Sequence, residues 1–149
     1  MPLDWFDRAF TELTTRELYS ILSIREAIFV VEQQCRYLEA DGLDPVARHL
    51  WAAEGDSVLA YLRILPAGDK FAEVGIGRVL VAPSARGTGL AREIMRRGLA
   101  AVGPVAVRIA AQAHLERFYG TLGFLRAGEP FVEDGIPHVE MLRPALAHD

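Results

Sequence analysis

Cysteine is nearly absent from this chain. Cys35 stands alone, so neither an internal disulfide nor a tetrahedral cysteine zinc site can be assembled. Long apolar runs are absent as well: no stretch approaches the ~20 residues of a membrane span, and the opening MPLDWFDRAF has acids where a secretory signal would need a basic start. There is no basic excess either. With 16 basic and 20 acidic residues the formal net charge is −4, so the molecule has no overall field to gather a nucleic-acid backbone. The expectation is a cytoplasmic protein that partners neither nucleic acid nor membrane. No phosphate-binding GxxxxGK[ST] loop, no GxGxxG fingerprint with its distal acid and no internal repeat is present.

What is there reads as one ordinary globular unit, residues 1–149, with 51% hydrophobic and 24% charged residues. Trp5 to Phe10 has the pattern of a strand, and Thr14 with Glu17 forms a capping-box signature for a first helix that runs out near Phe29 to Val31. Glu32 to Pro45 reads as an irregular loop with a short helix. His49 to Ala53 and Val58 to Leu65 flank Glu54-Gly55-Asp56 as a hairpin. A further strand, Val74 to Val81, carries Gly75 and Gly77, which point to a bulge or to a close approach by another backbone or a ligand. An amphipathic helix over Leu90 to Val102 should face Ile94, Met95 and Leu99 inward. Val105 to Ala110 then reads as a buried strand, His114 to Leu122 as a helix stopped by Gly123, and Phe131 to Val132 with Val139 to Leu142 as a last hairpin around Asp134-Gly135. The order implies an α/β fold with a mixed sheet.

The densest chemical signal is EVGIGRVLVAPSARGTGLAREIM, Glu73 to Met95. A strand ends at Val81, a turn follows, and glycines at 87 and 89 let the backbone of an opening helix come close to a ligand. The first amides of a helix have no internal partner and, with its dipole, favour an anion. A small basic cluster, Arg86, Arg92, Arg96 and Arg97, suits a compact phosphorylated ligand better than a long polyanion.

This stretch resembles motif A, [QR]xxGx[GA], of the GNAT acetyltransferases, with Arg86, Gly89 and Ala91 at its defining places. A second stretch, QAHLERFYGTLGF (Gln112 to Phe124), resembles motif B. REAIFVVEQQCRY, RHLWA and EDGIPHVEM are similar to the ElaA subgroup, so the resemblance spans nearly the whole chain. It implies the acyl-CoA N-acyltransferase fold, with a mixed sheet of six or seven strands, about four helices, and strands splayed around a pantetheine arm. It implies acetyl-CoA as co-substrate, with no metal. The coenzyme's diphosphate would lie on the backbone of Arg86, Gly87, Thr88, Gly89, Leu90 and Ala91, and its arm along Val79, Leu80 and Val81, with Gln112 and Phe118 beside it.

The resemblance also puts Tyr119 where many members carry the acid that protonates the departing thiolate. A phenol of pKa near 10 holds the needed proton at neutral pH. The strand position that is Glu in histone-type members falls on glycine here, at Gly75 or close by. The candidate bases are therefore Glu32, Glu73 and His138, with Asp41 and Asp44 expected to make an acidic mouth for a cationic amine. The acceptor expected is a primary amine of a small molecule or peptide, attacked directly. Two alternatives stay open: a non-catalytic acyl-CoA sensor, and an acyl-carrier-dependent acyltransferase resembling N-acylhomoserine lactone synthases. Cys35 is expected to be inert packing, and the exposed edges of the last hairpin suggest a homodimer.

Overall fold

The computed structural model describes residues 3–146. Its strands are β1 (Asp4–Ala9), β2 (Arg48–Glu54), β3 (Ser57–Leu65), β4 (Val74–Val81), β5 (Val107–Gln112), β6 (Leu125–Arg126), β7 (Phe131–Glu133) and β8 (Ile136–Arg143). The helices are α1 (Thr15–Arg25), α2 (Leu90–Val102) and α3 (Glu116–Gly120). All eight strands form one sheet in the order β1-β2-β3-β4-β5-β8-β6, with β7 paired to β8. The sheet therefore has one or two strands more than the sequence suggests. The surplus comes from the two-residue β6, too short to leave a periodic signal.

Local chemistry explains the ends of the elements. Thr14 Oγ1 accepts the Glu17 amide at 3.1 Å while Glu17 Oε1 accepts the Thr14 amide at 2.9 Å, so two helix-end donors are satisfied reciprocally. α1 then widens into a π-helical segment, Glu26–Glu32. Between β2 and β3 the turn is two residues long, Gly55-Asp56, with Gly55 at φ +59°.

Residues 49–53 of β2 and 60–65 of β3 are buried almost without a break, because both faces of the sheet are covered. Leu50, Ala52, Ala60, Leu62 and Ile64 point to the face under α2 and α3, where Ile94, Met95, Tyr119 and Phe124 complete one core. Trp51, Ala53, Val58 and Tyr61 point the other way, onto Ile21 of α1 and Ile28. α2 lies close to the sheet: a Cβ on Gly98 would fall 2.8 Å from Leu62 Cδ2.

Two irregularities of β4 create the site. Against β3 the register slips between Tyr61 and Arg63, so that Arg78 and Val79 together oppose Leu62. The bulge sits on Arg78, at φ +51°, and not on the glycines from which the sequence suggested one. Gly75 has a different task, since the Phe71 ring lies 3.2 Å from where its Cβ would be. On its other side β4 pairs with β5 in parallel only at Val74–Val107 and Gly75–Arg108. Beyond that point the bulge bends β4 away and the two strands part.

Candidate functional site

The opening between β4 and β5 is the floor of a cavity of about 740 Å³. One wall is the diverging backbone, residues 76–81 against 109–112. α3 and the segment after α1 close its sides. Along 76–81 the edge of β4 that faces β5 is unpaired, so its amides and carbonyls are available to an extended, amide-bearing ligand.

At the end of β4 the chain turns through Pro83–Ala85 into α2. Gly87 (φ +78°) and Gly89 (φ +83°) hold left-handed conformations that other residues resist. Thr88 Oγ1 donates to the Ala85 carbonyl at 2.6 Å and so pins the turn. The first amide spent inside α2 is that of Glu93, bonded to the Gly89 carbonyl at 3.1 Å. Those from Gly87 to Arg92 donate to no described residue, and the helix dipole adds positive potential. Gly87, Thr88, Gly89 and Leu90 thus carry unspent backbone amides beside the cavity without lining it, and the Leu90 side chain is buried in the core. The side chains of Arg86 and Ala91 line the cavity itself. The row fits a diphosphate.

Of the basic cluster read from the sequence, only Arg86 lines the cavity. Arg92 lies over the Phe118 ring at 5.4 Å, and Arg97 pairs with Glu93 and covers the Trp5 ring at 3.9 Å. Arg96 borders a separate hollow on the far side of α2. The helical period scatters these four side chains, which adjacency in sequence does not reveal.

Val79, Leu80, Val81, Gln112, Phe118 and Tyr119 all line the cavity. Gln112 Nε2 donates to Gln33 Oε1 at 3.2 Å, tying the end of β5 to the loop after α1. Tyr119 is buried between Phe118 and Phe124, with ring centroids 5.2 and 5.9 Å away. Its hydroxyl bonds to no described residue, and burial pushes its pKa up to about 12.

The three candidate bases fare differently. His138 lines the cavity, its ring stacked on Phe131. Its Nδ1 lies 2.7 Å from the Ile136 carbonyl, which can only accept, so Nδ1 carries a proton and Nε2 is the nitrogen that bears the lone pair in the neutral ring. Glu32 also lines the cavity, but its carboxylate accepts from Arg86 Nη2 at 2.8 Å in an ion pair open to water. Glu73 is not among the lining residues: both its oxygens are taken by Arg108, at 2.9 and 3.0 Å, and that pairing holds its pKa below the usual glutamate value. A carboxylate so engaged, on the far side of the point where β4 and β5 meet, is a poor base for chemistry in the cavity.

Asp41 and Asp44 do not make the acidic mouth expected of them. Asp44 Oδ1 accepts from Arg25 Nη1 at 2.7 Å and from Arg63 Nη1 at 3.0 Å. Asp41 Oδ1 accepts from Arg63 Nη1 at 2.9 Å, and Glu39 Oε1 from Arg25 Nε at 2.7 Å and Arg78 Nε at 2.9 Å. Arg25, Arg63 and Arg78 thus neutralise Glu39, Asp41 and Asp44. Arg25 is 0% and Arg63 1% exposed. His49 Nε2 donates to the Asp44 carbonyl at 3.0 Å, which leaves Nδ1 to accept from the Tyr61 hydroxyl at 2.7 Å. Burial lowers the His49 pKa and keeps it neutral. The available signal was a charge inside an apolar run, Arg63 in YLRIL, since a buried arginine requires partners; Arg25, between Ile24 and Glu26, carries no such signal.

Cys35 is buried at the cavity wall with its sulfur 3.6 Å from the Gln33 and Asp134 carbonyls. Burial raises its thiol pKa, which opposes the thiolate that covalent chemistry would need. Among the described residues no group of His, Cys, Asp and Glu is placed to hold a metal, and no helix is long and apolar enough to cross a membrane.

Comparison with known proteins agrees with this geometry. The family described as "Acetyltransferase (GNAT) domain" matches residues 27–143. Protein ElaA of Escherichia coli (strain K12) is 38% identical over 150 residues, covering 97% of this chain and 98% of that one. Its crystal structure superposes with a TM-score of 0.90 over 95% of this chain and 99% of that one. An acyl-CoA N-acyltransferase from Pseudomonas aeruginosa superposes at 0.91 with 43% identity, covering 95% and 99% of the two chains. BjaI, a CoA-dependent acyl-homoserine lactone synthase, shares the fold at 17% identity, with a TM-score of 0.78 over 95% of this chain and 82% of that one. With its family profile, its full-length relatives and its parted strands in agreement, the chain belongs to the GNAT acetyltransferase family, alongside ElaA.

Proposed function

We propose that this protein is an acetyl-CoA-dependent N-acetyltransferase that acylates a primary amine by direct attack, in the cytoplasm. The observation that carries the reading is the parting of β4 from β5 beside a row of unspent helix-end amides. An unpaired strand edge suits the amide-bearing pantetheine arm, and the Gly87 to Arg92 amides suit the diphosphate. The coenzyme supplies an acyl group activated as a thioester. In the overall exchange a C–N bond replaces a C–S bond, and one proton passes from nitrogen to sulfur.

The chain's own residues manage that proton. His138 Nε2, the ring nitrogen not held by Ile136, takes it from the amine directly or through water when the ring is neutral. Tyr119, whose pKa of about 12 keeps it protonated, gives one to the leaving sulfur. Arg86 turns from Glu32 to the diphosphate, and the freed Glu32 carboxylate adds negative charge to the cavity wall that favours a cationic amine inside. The amides flanking the bulge at Arg78 and Val79 are the donors best placed for developing negative charge.

Acetyl-CoA at 100 times its dissociation constant should stabilise the protein by about 2.7 kcal/mol, or about 5 to 10 °C in melting temperature. A thermal melt with and without coenzyme checks this. An unchanged midpoint would remove the coenzyme site. Thiol release over a panel of amines then separates an enzyme from a sensor, since a sensor is stabilised by coenzyme and releases no thiol.

A further inference from the structure

Lys70 is the only lysine among 16 basic residues, all the others being arginine. It lies on the segment between β3 and β4 and lines the same cavity as Arg78, Tyr119 and His138. Its ammonium rests 5.4 Å from the centre of the Phe71 ring, and that ring fills the space left by Gly75, where β4 and β5 begin to part. Lys70 therefore stands at the closed end of the parting, with the diphosphate row at the other end, beyond Val81. An acceptor must enter on the Lys70 side.

The charges around it are unequally spent. Arg25, Arg63 and Arg78 are matched by Glu39, Asp41 and Asp44. Lys70 forms no ion pair with any described residue, whereas each acid of that network already accepts from at least two donors. Arg78 adds to this side: its Nη2 reaches Asp41 only at a long 3.4 Å, and its Nη1 donates to no described residue. Partial loss of water beside the cavity wall pulls the Lys70 pKa below the usual lysine value. Arg78 and Arg63 push the same way, against the opposing pull of Glu133 and Asp41. A cation partly withdrawn from water and lacking an ion pair gains most from an anion that arrives from outside. Glu133 and Asp134, at the tip of the β7–β8 hairpin, are exposed to water and screened accordingly.

Building on the acetyltransferase reading above, we propose that the acceptor is a small amino acid-like molecule, its amine presented to the parted strands and its carboxylate held by Lys70 and Arg78. Two donors on one carboxylate also fix the direction in which the amine points. Such binding orients the acceptor without touching the reacting atoms, so Lys70 is a binding residue and not a catalytic one. A neutral or dicationic amine leaves Lys70 without a counterion and binds less well.

The test uses matched pairs that differ only in the anion: α-amino acids, β-alanine and γ-aminobutyrate, each against its carboxamide, with aliphatic diamines alongside. Acetyl transfer is followed by thiol release, and acetyl-CoA binding is measured in parallel by calorimetry. The preferred amino acid should exceed its carboxamide at least ten-fold in kcat/KM. Lys70→Met should abolish that ratio chiefly by raising KM, with kcat and coenzyme affinity unmoved, and Lys70→Arg should restore it. Lys70 is exposed at the rim, so these variants should melt with the native protein. Preference for carboxamides or diamines, a ratio indifferent to Lys70→Met, or turnover of no carboxylate by a protein that binds acetyl-CoA would overturn the carboxylate assignment and leave the coenzyme site standing. Failure to bind acetyl-CoA would overturn both.

Discussion

Replacing Tyr119 with phenylalanine should lower kcat about a hundred-fold while leaving acetyl-CoA affinity and the melting temperature nearly unchanged. Burial between Phe118 and Phe124 makes the ring part of the core, and Phe keeps that ring. Its hydroxyl spends no hydrogen bond on the described residues, so its removal strands no partner. What is lost is a proton held at a pKa near 12 beside the parted strands, and positioned general acids contribute about 10²- to 10⁴-fold. Single-turnover kinetics at saturating coenzyme read the effect. The raised pKa adds a second expectation: no falling alkaline limb below about pH 10 should belong to Tyr119. Unaltered turnover in the variant would remove this residue from the reaction.

The largest effect on stability is expected from Arg25→Met. The guanidinium is fully buried and donates to Glu39, to Asp44 and to the Glu39 backbone carbonyl, so its loss takes one of two cationic partners from each of two buried carboxylates and leaves a carbonyl without its donor. Breaking a buried network from one side typically costs about 3 to 5 kcal/mol, and a denaturant titration reads it. Arg16→Met is the control: its pair with Asp56 is 78% and 72% exposed, and the midpoint should not move.

The same network sets the acid limb. Burial alone pushes the Asp44 carboxyl up, but Arg25 and Arg63 more than reverse that and hold it below the ordinary range. Its contribution is present above the unfolded carboxylate pKa and is lost as pH falls through the depressed folded value. His49, kept neutral by burial, contributes above its unfolded pKa of about 6.5 and loses that contribution as pH falls. Stability should therefore begin to fall below about pH 6.5 and fall more steeply below about pH 4.

Features fixed by near neighbours were legible in the sequence. The capping box at Thr14 and Glu17, the turn at Gly55, the inward face of α2 and the glycines at 87 and 89 each depend on residues a few positions apart. The GNAT resemblance rested on the same local stretches, and the family match and the fold agree with it.

What depends on distant pairing was not legible. The partners of Arg25 and Arg78 lie 14 to 39 residues away, so Asp41 and Asp44 read as a free acidic mouth when they are neutralised counterions. The bulge falls on Arg78 because the register of β3 against β4 decides it, whatever the backbone preference of nearby glycines. Glu73 read as a free base because Arg108, 35 residues on, is brought beside it only by the short parallel pairing of β4 with β5.

Calorimetric titration with acetyl-CoA, of the native protein and of Gly89→Val, bears on all of this most directly. Gly89 has nothing within 4 Å of where its Cβ would stand, so the free protein has room for a side chain. At φ +83°, however, valine costs about 1 to 3 kcal/mol or forces the loop to move, and its methyl groups enter the space above the amide row. Saturable heat with the native protein, and affinity at least ten-fold weaker with the variant, are the expected results. No heat from the native protein at millimolar coenzyme, or equal affinity in the two proteins, would contradict a diphosphate held by the backbone that opens α2.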